Sequence, residues 1–307
     1  MAPKDRPVEG KAEARETIGA AAASKLPAGL YLVATPIGNL GDMTTRGASI
    51  LRAVDRIAAE DTRVARRLLA ALAIPAPPLV RYDDHADEAT RERLLAAVEG
   101  GEAVALVSDA GMPVIADPGF KLVRAARRRG LRVTVAPGAS APLAALALSG
   151  LPSDRFFFAG FLPATETARL RALAGLASVP ATLLLLEAPQ RLAASLADMA
   201  QALGADREAV IARELTKMFE EVRSGSLGEL AATFASLPPP RGEIVAVIGP
   251  PAADAAGPSA EDLDTRLRAA LATMSLRDAV AAVAGATGAN RREVYARALA
   301  LGGQRRS

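Results

Sequence analysis

From Leu30 onward, short apolar runs alternate with stretches whose apolar residues recur every three to four positions. LYLVA, VDRIAA, AVALV and LRVTV have the length of strands. Thr45 to Ala53, Val64 to Leu72, Phe120 to Arg129 and Ala141 to Leu148 carry the helical period between them. This alternation predicts a largely parallel sheet covered by helices. After LPSD the pattern restarts with FFFAGF, TLLLLEA, AVIARE and EIVAVIG, separated by predicted helices at Glu166 to Leu176, Arg191 to Leu203 and Leu227 to Phe234. That is a second α/β domain with its own core. The boundary is expected near Leu151 to Asp154, giving domains at 29–153 and 154–250.

Residues 1–28 mix Pro3, Pro7, Gly10 and Gly19 with nearly balanced charge and read as a disordered tail. They contain no apolar segment long enough for a signal peptide. Residues 251–260 have linker composition. The module that follows, 261–307, shows three short amphipathic helices, with Asn290 and Glu293 spaced as a capping box. Its second and third helices, Leu276 to Ala284 and Arg291 to Leu299, are joined through Gly285 and Gly288 in a helix-turn-helix-like arrangement.

Composition narrows the chemistry. At 307 residues, with 50% hydrophobic and 23% charged, the chain is an ordinary globular protein of about two domains. Its longest apolar runs fall well short of a membrane span. The absence of Cys removes disulfides, thiolate nucleophiles and Cys-ligated metals, and one His makes a His-rich metal centre untenable, so no metal is expected. Together with the missing export signal, this points to a cytoplasmic setting. The net charge is +3, with arginines clustered at Arg127 to Arg129 and at Arg291 and Arg292, which permits a polyanionic partner. The module 261–307 carries eight arginines against five acids. Five lysines stand against 32 arginines, and Lys217 is the only lysine beyond residue 121.

Ligands of open α/β sheets collect beyond the carboxyl ends of the strands. The exits here are Thr35 to Asp42, Ser108 to Pro113 and Pro137 to Ala141, each rich in Gly, Pro and small polar residues. Gly38 and Gly111 permit close backbone approach, and Asn39 and Asp109 can bond a hydroxyl or an amine. Tight turns alone would also explain each loop. Neither a G-x-G-x-x-G fingerprint nor a P-loop is present. Asp117, followed by Pro118, reads equally as a helix N-cap or a ligand contact. Glu187 with Arg191 reads equally as an ion pair or a site, and Arg213 to Lys217 places three ionisable groups in five residues. His85 reads as a solvated neighbour of a helix cap.

Eight strings carry a resemblance: VATPIGNLGDMTTRG, AAEDTRVARRLL, ALVSDAGMPVIADPG, VAPGASA, FFFAGFLP, LLEAPQRL, ARELTKMFEEV and RGEIVAVIGP. In this order, over about Gly29 to Pro250, they resemble the ribosomal RNA small subunit methyltransferase I group of the tetrapyrrole methylase superfamily. The resemblance implies two α/β domains of tetrapyrrole-methylase type with the cofactor cleft between them, here followed by a small C-terminal helical module. It further implies homodimers and S-adenosylmethionine-dependent methyl transfer to the ribose 2'-hydroxyl of a decoding-region cytidine in 16S rRNA, within the 30S subunit.

Carried over by motif, the cofactor would meet Pro36, Asp109, Met112, Pro113, Asp117, Ser140, Ala141, Leu186, Ala212 and Leu215. Lys217, with Glu220, Glu214 and Asp61 as alternatives, would act on the ribose hydroxyl, either as a cation favouring the alkoxide or as a proton acceptor. Arg46, Arg63, His85, Arg291 and Arg292 would meet RNA. The chain departs from the group at Ala86, where the group shows Asn after the Asp84-His85 pair. Two other readings remain: a small-molecule methyltransferase acting on a tetrapyrrole, and a non-enzymatic RNA-binding protein.

Overall fold

The computed structural model describes residues 25–251, 260–287, 289 and 291–303. The expected tail up to residue 24, the expected linker at 252–259 and the capping residue Asn290 lie outside the described residues. By its contacts the chain divides into two compact units between Ala139 and Ser140.

In the first unit, β1 (Gly29–Val33), β2 (Arg56–Ala59), β3 (Leu79–Arg81), β4 (Ala103–Val107) and β5 (Val133–Ala136) form a parallel sheet in the order β3-β2-β4-β1-β5. β3 is the run LVR, absent from the four strands expected; three partly exposed residues carry too little periodicity to declare a strand. The remaining elements are α1 (Thr45–Ala53), α2 (Thr62–Ala71), α3 (Glu88–Glu99) and α4 (Phe120–Arg128). The pleat sorts the helices between the two faces. Ala103, Ala105 and Val107 join Tyr31, Val33, Ile50, Leu51 and Leu69 in one apolar cluster, under α1 and α2. Val104 and Leu106 join Leu30, Leu94, Leu95 and Leu122 in another, under α3 and α4. Buried on both faces, β4 reads as an unbroken apolar run. From β1 the chain continues to β2, beyond β4, and from β4 it continues to β5, beyond β1. The two exit loops therefore lead in opposite directions from adjacent strands, the topological setting in which α/β proteins hold ligands.

The second unit begins with α5 (Ala141–Ser149) and continues β6 (Phe156–Phe161), α6 (Glu166–Leu176), β7 (Thr182–Glu187), α7 (Leu192–Leu203), β8 (Glu208–Arg213), β9 (Glu221–Ser226), α8 (Leu227–Ser236) and β10 (Ile244–Ile248). Its sheet runs β6-β7-β10-β8-β9, parallel only between β6 and β7. Leu183, Leu185, Ala209, Ile211, Ile244 and Ala246 pack against Leu173 of α6, Leu196 of α7 and Leu230 of α8. The opposite face meets α5, which contacts β7, β8 and β10. That packing places the division before α5 rather than near Leu151 to Asp154, where the chain only turns from α5 into β6. β9 was not expected, because EVRSGS alternates charged and small residues without an apolar face.

The C-terminal part forms α9 (Ala260–Leu271), α10 (Leu276–Thr287) and α11 (Arg291–Gly303), the three helices expected. Leu263, Leu267, Val280, Val283, Val294 and Ala298 make a small core of their own. Arg297 of α11 pairs with Asp264 of α9 at 2.5 Å.

α6 and α7 are joined by one buried ion pair, Arg169 to Asp198, with Nε to Oδ2 at 2.5 Å and the Ala164 carbonyl accepting a second guanidinium N–H. Removing one partner leaves the other charge buried and unmatched. Asp198→Ala is therefore expected to destabilise the protein by about 3 kcal/mol in urea unfolding. The double variant Arg169→Met with Asp198→Leu, which replaces the pair by apolar packing, should recover most of that loss. Equal losses in the single and double variants would contradict the account.

Candidate active site

The exits of β1 and β4 are tied to each other. Thr35 N–H donates to the Gly111 carbonyl at 2.9 Å, and Gly111 N–H donates back to Thr35 at 3.1 Å. The Thr35 hydroxyl adds a bond to the Ser108 carbonyl at 3.3 Å. Gly111 holds φ +78°, and a Cβ there would lie 3.3 Å from Ile37 Cγ2, so the tie suits glycine on both conformational and steric grounds. The β2 exit joins them: Asp61 N–H donates to the Asp109 carboxylate at 3.0 Å, and Asp109 N–H donates to Glu60 at 3.4 Å. Pro36, Asp109, Met112 and Pro113 thus stand on tied loops at one edge of the sheet.

Asp117 lies on the same stretch of chain as Asp109 and is not a helix cap. α4 begins at Phe120 with Gly119 as its N-cap, at φ +128°, and a Cβ at Gly119 would come within 2.6 Å of Leu106 Cδ2. The backbone packs so close to β4 that only glycine fits before the helix, which displaces Asp117 from the capping position. Burial instead pushes its carboxyl up to about 6. The Ser108 hydroxyl opposes that shift, and the charges of Glu60, Asp109 and Asp84 add to it. Burial likewise pushes Glu60 up, with Asp109, Asp84 and Asp83 adding their repulsion. Among the described residues of this unit the ion pairs use Asp61 and Asp83 at these exits, and Glu88, Glu92, Glu99 and Glu102 away from them, but not Glu60, Asp109 or Asp117. A net negative field, only partly offset by Arg63 and Arg81, therefore covers the exits of β2, β3 and β4, and it favours a cation.

Asp61 has another task. It caps α2 through Arg63 N–H at 2.7 Å and pairs with the Arg63 guanidinium at 2.6 Å, which holds its carboxyl far below the usual range. So acidic a group is a weak proton acceptor. Arg46 donates to the Val135 carbonyl at 2.7 Å, and His85 N–H donates to Asp83 at 3.0 Å, both on the surface.

In the second unit, Leu186 and Ala212 both stand opposite Val245, one on each side of β10, and so share a row on the face that α5 covers. Ser140 caps α5 without using its hydroxyl, and Ala141 is its first residue. Glu187 is buried structure: it accepts from Ala188 N–H, the Arg191 guanidinium and the Ser195 hydroxyl, so the ion-pair reading holds there.

The loop between β8 and β9 carries Lys217. Glu214 and Thr216 adopt φ +51° and +65°, Leu215 is buried, and Thr216 N–H donates to the Glu220 carboxylate at 2.6 Å. The Lys217 ammonium pairs with Glu214 at 2.7 Å and Glu243 at 3.3 Å. Burial works against its charge, yet the hydrogen bond from Lys217 to Glu214 and the charges of Glu214 and Glu243 prevail and hold its pKa above the usual lysine value. Lys217 is thus a cation at neutral pH, which favours its electrostatic role over a proton-accepting one. A Cβ on Gly242 would overlap the Glu214 side chain at 2.2 Å, so this glycine makes room for the pair. Met218 and Phe219 project into solvent at the loop tip, and the Thr216 hydroxyl is buried without a partner. Sequence reasoning missed Glu60, Gly242 and Glu243: the first sits beside Asp61 in AEDTR and the others open RGEIVAVIGP, but nothing local assigns them to a site.

Comparison with known proteins adds a relationship. The family described as Tetrapyrrole (Corrin/Porphyrin) Methylases matches residues 29–231, and the RsmI C-terminal HTH domain matches residues 257–302. A protein of Mesorhizobium japonicum named ribosomal RNA small subunit methyltransferase I is 49% identical over 91% of this chain and 94% of its own length. A protein of the same name from Pseudomonas aeruginosa is 45% identical over 88% and 96%. Among solved structures, diphthine synthase shares the fold with a TM-score of 0.55 at 18% identity, over 72% of this chain and 89% of its own. Cobalt precorrin-4 methyltransferase does so with a TM-score of 0.52 at 18% identity, over 72% and 94%.

The raised Asp117 carboxyl makes a signed prediction. Its neutral form is favoured in the folded state, so its contribution to stability is full below the unfolded value near 4 and is lost as the pH rises through about 6. Asp117→Asn, permanently neutral, should unfold at higher urea than the parent at pH 8 and at the same urea at pH 3.5. A difference independent of pH would show that Asp117 is not held under these charges.

Proposed function

This chain belongs to the tetrapyrrole methylase family, and to its ribosomal RNA small subunit methyltransferase I group, and from that membership we propose that it methylates the ribose 2'-hydroxyl of a decoding-region cytidine in 16S rRNA. The methyl donor is S-adenosylmethionine. The substrate in this reading is the 30S subunit, in the cytoplasm, and the acting form is a homodimer.

The observation that supports the reading most is the negative edge of the first sheet. S-adenosylmethionine carries a sulfonium and an ammonium against one carboxylate, so it is a net cation, and the field of Glu60, Asp109 and Asp117 suits it. Gly38 and Gly111 leave the backbone of the same loops open to close approach. The residues that would hold the cofactor from the first unit are Pro36, Asp109, Met112, Pro113 and Asp117. Ser140, Ala141, Leu186, Ala212 and Leu215 would hold it from the second.

The cofactor supplies a methyl group on a sulfonium sulfur, which leaves as a neutral thioether while an O–CH3 bond forms at the ribose. The chain's part is to hold the ribose oxygen in line and ease the loss of its proton. Lys217, kept cationic by Glu214 and Glu243, stabilises the developing alkoxide. Glu220, whose carboxylate accepts from Thr216 N–H in the same loop, takes the proton, whereas Asp61 is held far too acidic by Arg63. Arg46, Arg63, His85, Arg291 and Arg292 meet the RNA. A small-molecule methyltransferase would need the first-unit loops but neither the Lys217 loop nor the C-terminal helices.

Labelled methyl transfer to unmethylated 30S particles tests the function, with the product mapped as an alkali-resistant linkage after one cytidine. Transfer to a base, or none, would overturn the 2'-hydroxyl assignment. In single-turnover assays Lys217→Met should lose about 10² in rate with cofactor affinity unchanged, while Lys217→Arg keeps partial activity. Parent-like transfer by Lys217→Met would leave the residue a surface ion pair.

A further inference from the structure

We propose that the groove between α10 and α11 binds an unpaired stretch of RNA, with one base stacked on Tyr295 and the flanking phosphates held by Arg277 and Arg291. The proposal rests on the reading that RNA is the substrate, and it assigns a second contact apart from the methyl-transfer chemistry.

The groove encloses about 650 Å³ and is lined by Arg277, Val280, Arg291, Arg292 and Tyr295. Helical spacing produces it: Arg277 and Val280 are three apart on α10, and Arg291 and Tyr295 are four apart on α11, so each pair shares a face. Among the described residues, three guanidinium groups line the groove and no carboxylate does. Two acids of the module have other partners: Asp278 accepts the Ser275 hydroxyl at 2.6 Å, and Asp264 takes Arg297. Val280 belongs to the core of the helical module and gives the groove an apolar floor.

Tyr295 is the second observation. Of the chain's three tyrosines, Tyr31 and Tyr82 are buried, and Tyr295 is 47% exposed. An open aromatic ring beside Arg277 and Arg291 is what a nucleotide chain needs: the ring offers a face to any base and the two guanidiniums meet phosphate. The recess decides between paired and unpaired RNA. A base within a duplex is already stacked on its neighbours, and the deep groove of A-form RNA excludes side chains, so a ring set inside a groove reaches only a base free to enter it.

The chain contains no Trp, so Tyr295→Trp creates a single-tryptophan protein whose fluorescence reports on this groove alone. Titrating the full-length variant with single-stranded octacytidylate should quench the emission saturably. A 16-base-pair RNA duplex and the matching DNA duplex should bind about tenfold more weakly. In the parent chain Tyr295→Ala should weaken octacytidylate binding about tenfold, and Tyr295→Phe should restore it. Arg277→Gln and Arg291→Gln should each lower the slope of log affinity against log salt by about 0.7. Absent quenching in a folded variant, equal or tighter duplex binding, or unchanged salt slopes would overturn the proposal. The two readings fail separately: quenching without methyl transfer to 30S particles refutes the enzymatic reading, and transfer without quenching refutes this one.

Discussion

The pair of backbone hydrogen bonds between Thr35 and Gly111 is the constraint on which the first unit's site depends. Carboxylates on free loops would move apart and lose their mutual repulsion to solvent. Here β1 and β4 hold the bases of the two loops in a buried sheet, the Thr35–Gly111 bridge closes them, and Asp109 ties in the β2 exit through Asp61 N–H. Asp109 therefore stays close enough to raise the proton affinity of Glu60 and Asp117, and Glu60 close enough to raise that of Asp117. The repulsion persists because the apolar burial of β4 on both faces holds the frame. A bound cation would relieve it, so ligand charge and fold stability are linked at one place.

The second unit solves the opposite problem, how to present one cation. Two positive-φ residues, Glu214 and Thr216, turn the chain tightly after β8, and Gly242 leaves the volume that the Glu214 side chain fills. Lys217 then has a carboxylate on either side and cannot easily lose its proton. In a chain that otherwise prefers arginine, the compact ammonium suits this small space, where a planar guanidinium would need a wider fork.

Much of the fold was legible because β strands buried on both faces print themselves as unbroken apolar runs, as AVALV and TLLLLE do. The strands that escaped, β3 and β9, are edge strands of their sheets with one face or both in solvent, and so have no such run. The division before α5 was hidden for a different reason. An apolar helix does not say which sheet it covers, and Ala141 to Leu148 packs forward onto strands that follow it by 34 residues or more in β7, β8 and β10. At the site, the exits rich in Gly and Asp could be read directly. The partners Glu243 and Gly242 could not, because β10 brings them beside Glu214 from 29 and 28 residues away.

Calorimetric binding of S-adenosylmethionine to the parent and to Asp109→Ala tests most directly whether the tied loops of the first unit hold the cofactor. The account predicts one site in the parent and an affinity at least tenfold weaker in the variant, about 1.4 kcal/mol, with the circular dichroism spectrum unchanged. Undiminished affinity in a folded Asp109→Ala protein would contradict it and move the cofactor away from these strand exits.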